Sequence, residues 1–267
     1  MAYSAKILTD SISEWGNRLT TMEVCYPRFV HSEMMTHRQF SRNSASSRAI
    51  PVAKMIEAVK NDPAMPVWWG KAQSGMQARE ELDADTLGYC KRQWLTARDE
   101  AIARAEIMRE FGLHKQIANR ILEPWMWITV IISSTEWTNF FGLRCHEDAQ
   151  PEIRHIAEMM QNLHRINTPR PLAKGEWHLP LIQEEDTDCS LDEMRRLSAA
   201  RCARVSYLTH DGRRDLEADY ELHDRLVLSG HWSPFEHQAT PSHPAYSEGN
   251  FTGWQQYRKL FANECRI

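Results

Sequence analysis

Residues 19–30, LTTMEVCYPRFV, alternate apolar and polar side chains, and residues 34–54, MMTHRQFSRNSASSRAIPVAK, follow them without a single carboxylate. The alternation predicts a β-strand. In the second stretch, cationic side chains and hydroxyl groups lie close together, which indicates a site for a small anion, because both groups donate hydrogen bonds to phosphate oxygens. A solvated basic loop would have the same composition and is the alternative at this point. The cationic residues of the stretch are Arg38, Arg42, Arg48 and Lys54.

The composition of the whole chain limits what this anion site can serve. The 267 residues are 42% hydrophobic and 25% charged, so the chain does not belong to the disordered class. Lys and Arg number 32 against 36 Asp and Glu, a net charge of -4, which argues against a general polyanion binder. The six cysteines include no C-x-x-C pair, the N-terminus lacks the apolar core of a signal peptide, and no apolar run is long enough to cross a bilayer. We therefore expect a cytoplasmic protein that does not bind a membrane.

Periodicity and helix-capping residues predict an α+β chain, mostly helical, with a modest antiparallel or mixed sheet. Ser133–Glu136 and Ser190–Glu193 both fit a capping box at the start of a helix. Residues 167–189 are predicted as a long loop and residues 238–267 as an irregular tail. The predicted helices are, in order, 53–60, 77–111, 114–121, one opened by Ser133–Glu136, one capped by Asp148, one opened by Ser190–Glu193 that ends near Ala203, and 215–228 with Gly230 at its C-terminal cap.

The order of residue types in the basic stretch is more specific than its charge. His37-Arg38-x-x-Ser41-x-Asn43-x-x-Ser46-x-Arg48 resembles the signature of the flavin-dependent thymidylate synthases, R-H-R-x-x-S-x-N-E-x-S-x-R, at six positions with the same gaps. Further blocks resemble motifs of that family. They are Pro27–Val30, Arg120–Pro124, Asn139–Arg144 with Ala149–Ile153, Ala203–Tyr207 and Gly230–His237.

These blocks stand in an unusual order. In the family, A-R-V-S-Y and S-P-F-E-H precede R-H-R, whereas here they follow it, at 203–207 and 233–237. The order resembles a circular permutation, which folds tolerate when the original termini lie close together at the surface. The resemblance implies a thymidylate synthase-complementing-like fold, circularly permuted, in a single domain over residues 1–267. It also predicts that residues 19–30 supply the strand that follows S-P-F-E-H in the family, and that Met1 lies near Gln238.

The resemblance implies an enzyme that methylates dUMP at C5 to give dTMP. Such an enzyme uses FAD as hydride carrier, methylenetetrahydrofolate as carbon donor and NADPH as reductant, while the protein supplies binding and orientation. We expect a homotetramer whose sites are shared between chains, and no nucleic-acid partner. We expect no metal site either, because Pro234 breaks the helical spacing that His231 and His237 would need as ligands.

The resemblance also assigns roles to individual side chains. Arg144 is the expected catalytic residue, because its guanidinium would stabilise charge that develops on a pyrimidine oxygen. His231 is expected to act close to the flavin and the folate. The residues expected to bind the nucleotide are Glu33, Ser44, Ser46, Ser47, Arg48, Arg120 and Arg144. The residues expected to bind FAD are His37, Arg38, Ser41, Asn43, Asn139, Ser233 and Glu236.

Four positions depart from the family pattern. Thr36 replaces the first arginine of R-H-R, Ser44 replaces a glutamate, Asp148 replaces a histidine, and Glu33 stands where a glutamine that contacts dUMP is usual. These changes leave open a sibling reaction, the flavin- and folate-dependent hydroxymethylation of a pyrimidine deoxynucleotide such as dUMP or dCMP. A third hypothesis is a non-enzymatic nucleotide- or nucleic-acid-binding protein, which would bind no flavin and would bind polynucleotides with a strong salt dependence.

Overall fold

The computed structural model describes residues 2–207, 215–245 and 249–264, except for the side chains of residues 206 and 207. Its main sheet consists of β1 (Ser4–Ser13), β2 (Arg18–Pro27), β3 (Ser41–Ser44), β4 (Trp127–Ser134) and β5 (Arg170–Leu172). The strand order is β3-β4-β2-β1-β5. β1 and β2 form a hairpin, β4 pairs antiparallel with both β2 and β3, and β5 joins β1 in parallel. The sheet is therefore mixed, as the sequence predicts.

One face of this sheet carries the largest hydrophobic core. Met22, Val24 and Tyr26 alternate along β2 and are buried, together with Val130 and Ile132 of β4. Two helices that follow β4 in the chain, α5 (Thr138–Arg144) and α6 (Pro151–Ile166), contribute side chains to the same core. A shift of β2 by one residue would turn its apolar side chains away from this core, so burial fixes the register. The strand predicted at residues 19–30 is confirmed over residues 19–27, and residues 28–30 form a 3-10 turn.

Several predicted helices are confirmed. In the capping box at Ser190–Glu193, the Ser190 hydroxyl accepts from the Glu193 N–H and the Glu193 carboxylate accepts from the Ser190 N–H. Gly230 follows the last helix with φ +66°, which suits a glycine at a helix C-terminus. The remaining helices are α1 (His31–Met35), α2 (Val52–Asn61), α3 (Ala84–Glu110), α4 (Lys115–Ala118), α7 (Leu191–Ala203) and α8 (Leu216–Leu228).

Other predicted boundaries are wrong. The helix predicted from residue 77 begins at Ala84, because the Asp83 carboxylate caps it by accepting from the Thr86 N–H. Residues 66–82 instead form a loop with a bridge between Gly70 and Glu81. The helix predicted at 114–121 is the short α4, which continues as a 3-10 turn to Trp125.

The capping box predicted at Ser133–Glu136 is also wrong. Both serines belong to β4, where they are buried, and α5 begins at Thr138. The apolar run before Ser133 lies in a strand whose consecutive side chains from Val130 to Ser134 are all buried, so both faces of the strand are covered and it lacks a polar face. The helix predicted from Asp148 begins at Pro151, whose missing N–H suits the first turn of a helix.

The predicted loop and tail contain short regular elements. Residues 167–189 include β5 and a 3-10 turn at Glu184–Asp186. In the tail, β6 (Ala239–Pro241) and β7 (Trp254–Gln256) pair antiparallel, and a backbone bridge joins His178 to Ala239. Met1 lies outside the described residues, so its predicted proximity to Gln238 stays a prediction. Among the described helices, none is both long and apolar enough to cross a bilayer.

Candidate active site

The C-terminal residue of α5, Arg144, is held by three residues of the segment that precedes β3. Its Nη1 donates to Glu33 Oε2 at 2.6 Å, and its Nη2 donates to the Glu33 carbonyl at 3.3 Å and to Thr36 Oγ1 at 3.1 Å. Its Nε donates to His37 Nε2 at 3.1 Å. Glu33 and Thr36 are two of the four positions that depart from the family pattern, so both of these differences contact this arginine directly. The guanidinium is thus fixed in orientation, while one N–H on Nη1 has no partner among the described residues.

His37 is able to accept from Arg144 because its imidazole is neutral. Burial is the main cause that lowers the pKa of His37, to about 4, and the charges of Arg144 and Arg42 lower it further. The ring packs edge-on against Phe140, at 4.9 Å between centroids. A neutral imidazole in this place acts as an acceptor that orients the guanidinium.

Glu33 and Arg144 line a cleft of about 1080 Å³. Its other walls come from Phe29, from the loop at residues 66–79 and from residues 147–158 at the start of α6. The loop is anchored by the buried Glu152, whose carboxylate accepts from the Val67 N–H at 2.8 Å. The cleft is large enough for a nucleotide-sized ligand, and small-molecule sites are clefts of this kind.

A second group of side chains lies on β3 and the C-terminal part of the chain. The buried Ser41 hydroxyl accepts from Gln256 Nε2 at 3.0 Å and from Asn250 Nδ2 at 3.3 Å. Asn43, with its amide nitrogen turned to Ser233, donates to Ser233 Oγ at 3.1 Å. These contacts hold the S-P-F-E-H turn against β3.

A third group lies just after β3, around Glu123. The carboxylate of Glu123 accepts from Ser47 at 3.2 Å and from Arg120 at 2.7 Å, and it forms an ion pair with Arg28 at 3.0 Å. Burial acts against ionisation, but the two arginines lower the pKa of Glu123 overall. Arg48 lies beside this group with an exposed side chain and has no ion pair within the described part of the chain. Arg48 is therefore available to an anion from outside.

A family model described as thymidylate synthase complementing protein matches residues 18–170, more than half of the chain. The chain belongs to this family. The match ends before the displaced blocks at 203–207 and 233–237. The contacts of Asn43 with Ser233 and of Ser133 with His237 nevertheless join the second block to the matched part. This arrangement is what a circular permutation predicts, and the permutation itself stays a proposal.

Solved structures show the same fold. The UMP/dUMP methylase PolB from Streptomyces cacaoi, bound with 5-Br dUMP, is similar with a TM-score of 0.50 and 17% identity over 60% of this chain and 89% of that chain. The same methylase bound with 5-Br UMP gives the same score and identity over 60% and 88%. At this identity the likeness concerns the fold alone. No curated protein matches the chain in sequence.

The family residues predicted from the sequence fall into these groups unequally. Glu33 and His37 both bind Arg144 at the cleft. Ser47 and Arg120 both donate to Glu123. Glu236 is paired with Arg258 of the tail. Arg38, Asn139 and His231 are exposed, and their side chains form no hydrogen bond or ion pair with the other predicted site residues in the described part of the chain. Ser44 pairs with Val130 through the backbone, and the Ser46 hydroxyl accepts from the Arg48 N–H at 3.3 Å.

The structure adds residues that sequence reasoning missed. Glu123 organises the group beside Arg48, and it stood unnoticed inside the Arg120–Pro124 motif. Gln256 and Arg258 belong to the run at residues 255–259 of the tail, which the sequence suggests as a further basic contact without giving its position, so only the fold could show their partners. His237 was read only as an improbable metal ligand, yet it is completely buried and contacts Ser133 Oγ through Nδ1 at 2.8 Å.

Proposed function

We propose that the protein is a flavin-dependent enzyme that transfers a one-carbon unit to C5 of a pyrimidine deoxynucleotide, with dUMP converted to dTMP as the reaction. The observation that carries the proposal is Arg144, which Glu33, Thr36 and His37 orient at a cleft of about 1080 Å³. Membership of the thymidylate synthase complementing family supports it, and so does the likeness to a methylase that binds 5-Br dUMP.

In this proposal Arg144 supplies positive charge to the pyrimidine. Its remaining Nη1 N–H would donate to a ring oxygen, where it would stabilise the negative charge that the ring must carry for C5 to act as the nucleophile towards the one-carbon unit. A donor that is already oriented stabilises such charge without the cost of reorganisation. His37 supports this orientation because its Nε2 accepts from Arg144 Nε, which a protonated imidazole could not do.

The nucleotide phosphate would be bound by Arg48 with Arg120, Ser46 and Ser47, and Ser44 would lie beside them. An exposed arginine beside two hydroxyl groups suits a phosphate, because the guanidinium donates two parallel hydrogen bonds. Arg120 shares its charge with Glu123, so Arg48 is the main cation for this anion.

The donor set of the basic stretch also suits FAD. Arg38 is exposed, has no ion pair among the described residues and lies in a stretch without carboxylates, which fits the diphosphate of a flavin dinucleotide. Asn139 and His37 would contribute from α5 and the segment before β3, and Ser41, Asn43, Ser233 and Glu236 from the group on β3. When bound, the flavin supplies hydride transfer, with NADPH as reductant and methylenetetrahydrofolate as carbon donor. We place His231 near the folate by resemblance.

We further propose a homotetramer with sites completed by neighbouring chains. Support comes from α3, a helix of 27 residues in which only Ile102 and Ala105 are buried. Phe111, which directly follows α3, and Ile117 of α4 are 87% and 53% exposed. Several exposed apolar residues in one segment, rather than a single one, mark a protein interface, and Ile107 and Leu113 are also 42% and 38% exposed. Light scattering on the purified protein measures the mass of the assembly.

The test is to incubate the protein with dUMP, methylenetetrahydrofolate, NADPH and FAD and to weigh the nucleotide product. A gain of one methyl group is expected, and flavin absorbance should copurify with the protein or appear after FAD is added. In this assay Arg144→Lys should lose activity. Arg154→Lys is its matched control, since Arg154 lies in the same cleft but pairs with Glu158. A protein that takes up no flavin and binds polynucleotide instead would contradict the proposal and favour the non-enzymatic alternative.

Glu33 favours a second candidate, the hydroxymethylation of dCMP or dUMP. Its carboxylate accepts hydrogen bonds only, so it can accept from the exocyclic amino group of cytosine as well as from N3–H of uracil. It also neutralises part of the charge of Arg144, at 2.6 Å. The same assay with dCMP, analysed by product mass, separates the candidates, because a hydroxymethyl group is heavier than a methyl group by one oxygen.

A further inference from the structure

Five buried side chains form a continuous chain of hydrogen bonds across the sheet. Ser11 Oγ lies 2.9 Å from His178 Nδ1, and His178 Nε2 lies 2.7 Å from Thr21 Oγ1. Thr21 Oγ1 lies 2.6 Å from Ser133 Oγ, which lies 2.8 Å from His237 Nδ1. Thr21 and Ser133 are direct partners in the pairing of β2 and β4. The chain therefore connects β1, the loop before α7, the two central strands and the S-P-F-E-H turn.

Both imidazoles of this chain are neutral. His178 and His237 are completely buried, and burial lowers the pKa of each to about 3. A neutral imidazole carries one proton, on either Nδ1 or Nε2, and the other nitrogen is an acceptor.

Counting hydrogens along the chain leaves two arrangements. If His178 carries its proton on Nε2, Thr21 accepts from it and donates to Ser133, which donates to His237 Nδ1, so His237 also carries its proton on Nε2. If His178 carries its proton on Nδ1, every bond reverses and His237 carries its proton on Nδ1. The two histidines therefore share one tautomer, since each hydroxyl has a single hydrogen to donate.

We propose that His178 is a positioning residue that sets the tautomer of His237 through Thr21 and Ser133. His237 directly follows the turn of Ser233 and Glu236, which contacts Asn43 of β3 directly and is linked to Ser41 through Gln256. His237 Nε2 is buried and has no hydrogen-bond partner among the described residues. The chain thus decides whether this buried atom, directly after the S-P-F-E-H turn, is a donor or an acceptor.

The test compares Thr21→Val with Thr21→Ser by nitrogen NMR of protein labelled with 15N-histidine, without added ligand. The valine has the shape of threonine but interrupts the chain, whereas the serine keeps the hydroxyl. We expect the wild type and Thr21→Ser to show His178 and His237 in the same single tautomer. We expect Thr21→Val to lose this agreement, with His237 in a mixture of both tautomers. Resonances are assigned with His178→Phe and His237→Phe.

Two results would overturn the proposal. One is a wild-type protein in which the two histidines have opposite tautomers, and the other is a Thr21→Val variant in which His237 keeps the tautomer ratio of the wild type. Ser133→Ala interrupts the chain at the next hydroxyl and serves as a second break if Thr21→Val does not fold. Because the measurement needs neither flavin nor nucleotide, it succeeds or fails separately from the proposed enzyme activity.

Discussion

The candidate site contains two arginines that are built into the molecule in opposite ways: Arg144 of α5, at its fixed end, and Arg48 of the basic stretch, at its free end. Arg144 is 18% exposed and makes four hydrogen bonds to Glu33, Thr36 and His37. Arg48 is exposed and has no ion pair within the described residues. A group that stabilises a transition state gains from being fixed beforehand, because reorganisation then costs nothing during the reaction. A group that binds a phosphate can instead become ordered when the phosphate arrives.

The largest effect is expected at the fixed end. Arg144→Lys should lower kcat by about 10²–10³-fold, as the loss of a preorganised donor does in other enzymes. A lysine carries the charge but cannot make the fork of bonds that orients the guanidinium. Steady-state rates of product formation measure the effect. If Arg144→Lys keeps the wild-type kcat, the fixed geometry has no catalytic value.

The free end should act on binding rather than on turnover. Arg48→Ala should weaken nucleotide affinity by about 10- to 100-fold, since a hydrogen bond to a charged group contributes about 1.5–3 kcal/mol. Isothermal titration with dUMP at two salt concentrations measures it, and the wild type should show the steeper salt dependence. Arg104→Ala, an exposed arginine on α3, is the control. An unchanged affinity in Arg48→Ala would place the phosphate elsewhere.

The free energy of unfolding should depend on pH through His37, which binds Arg144 at the fixed end. The pKa of His37 is lowered to about 4 in the folded protein, against about 6.5 for an unfolded histidine. Below pH 6.5 the unfolded chain therefore binds a proton that the folded chain does not, so the free energy of unfolding falls as the pH falls towards 4. The slope from this residue is up to about 1.4 kcal/mol per pH unit.

Urea unfolding between pH 4.5 and 7.5 tests this with His37→Gln, which keeps an acceptor but cannot titrate. The variant should lose less stability than the wild type on acidification. Parallel pH profiles for the two proteins would mean that His37 is not held neutral by its surroundings.

The smallest effect is expected beside the free end. Ser47 is buried and its hydroxyl donates to Glu123, so Ser47→Ala should lower the free energy of unfolding by about 0.5–1.5 kcal/mol. Urea unfolding measures the change, with Ser32→Ala on the exposed surface as control. A loss of several kcal/mol would show that the group around Glu123 supports the fold rather than a ligand.

The fold could be predicted where one local signal acted alone. The alternation at residues 19–27 and the capping box at Ser190–Glu193 both carry their structure within a few residues. The prediction at Ser133–Glu136 was wrong because the same letters suit a helix cap and the end of a buried strand. Only the neighbours of β4 on both sides decide between them. The strand β1 was missed because its hydroxyl-rich sequence has a weak pattern.

In the candidate site, too, some features could be predicted from the sequence and others could not. The sequence by itself determined the family, the carboxylate-free stretch at residues 34–55 and Arg144, because residue types at fixed spacing carry the chemistry. Only the tertiary structure decided that Glu33 and Thr36 contact that arginine, that Glu123 organises the group beside Arg48, and that His178 reaches His237 through two hydroxyl groups. These contacts join residues up to 157 positions apart in the chain, and no local pattern specifies such partners because burial in a common fold brings them together.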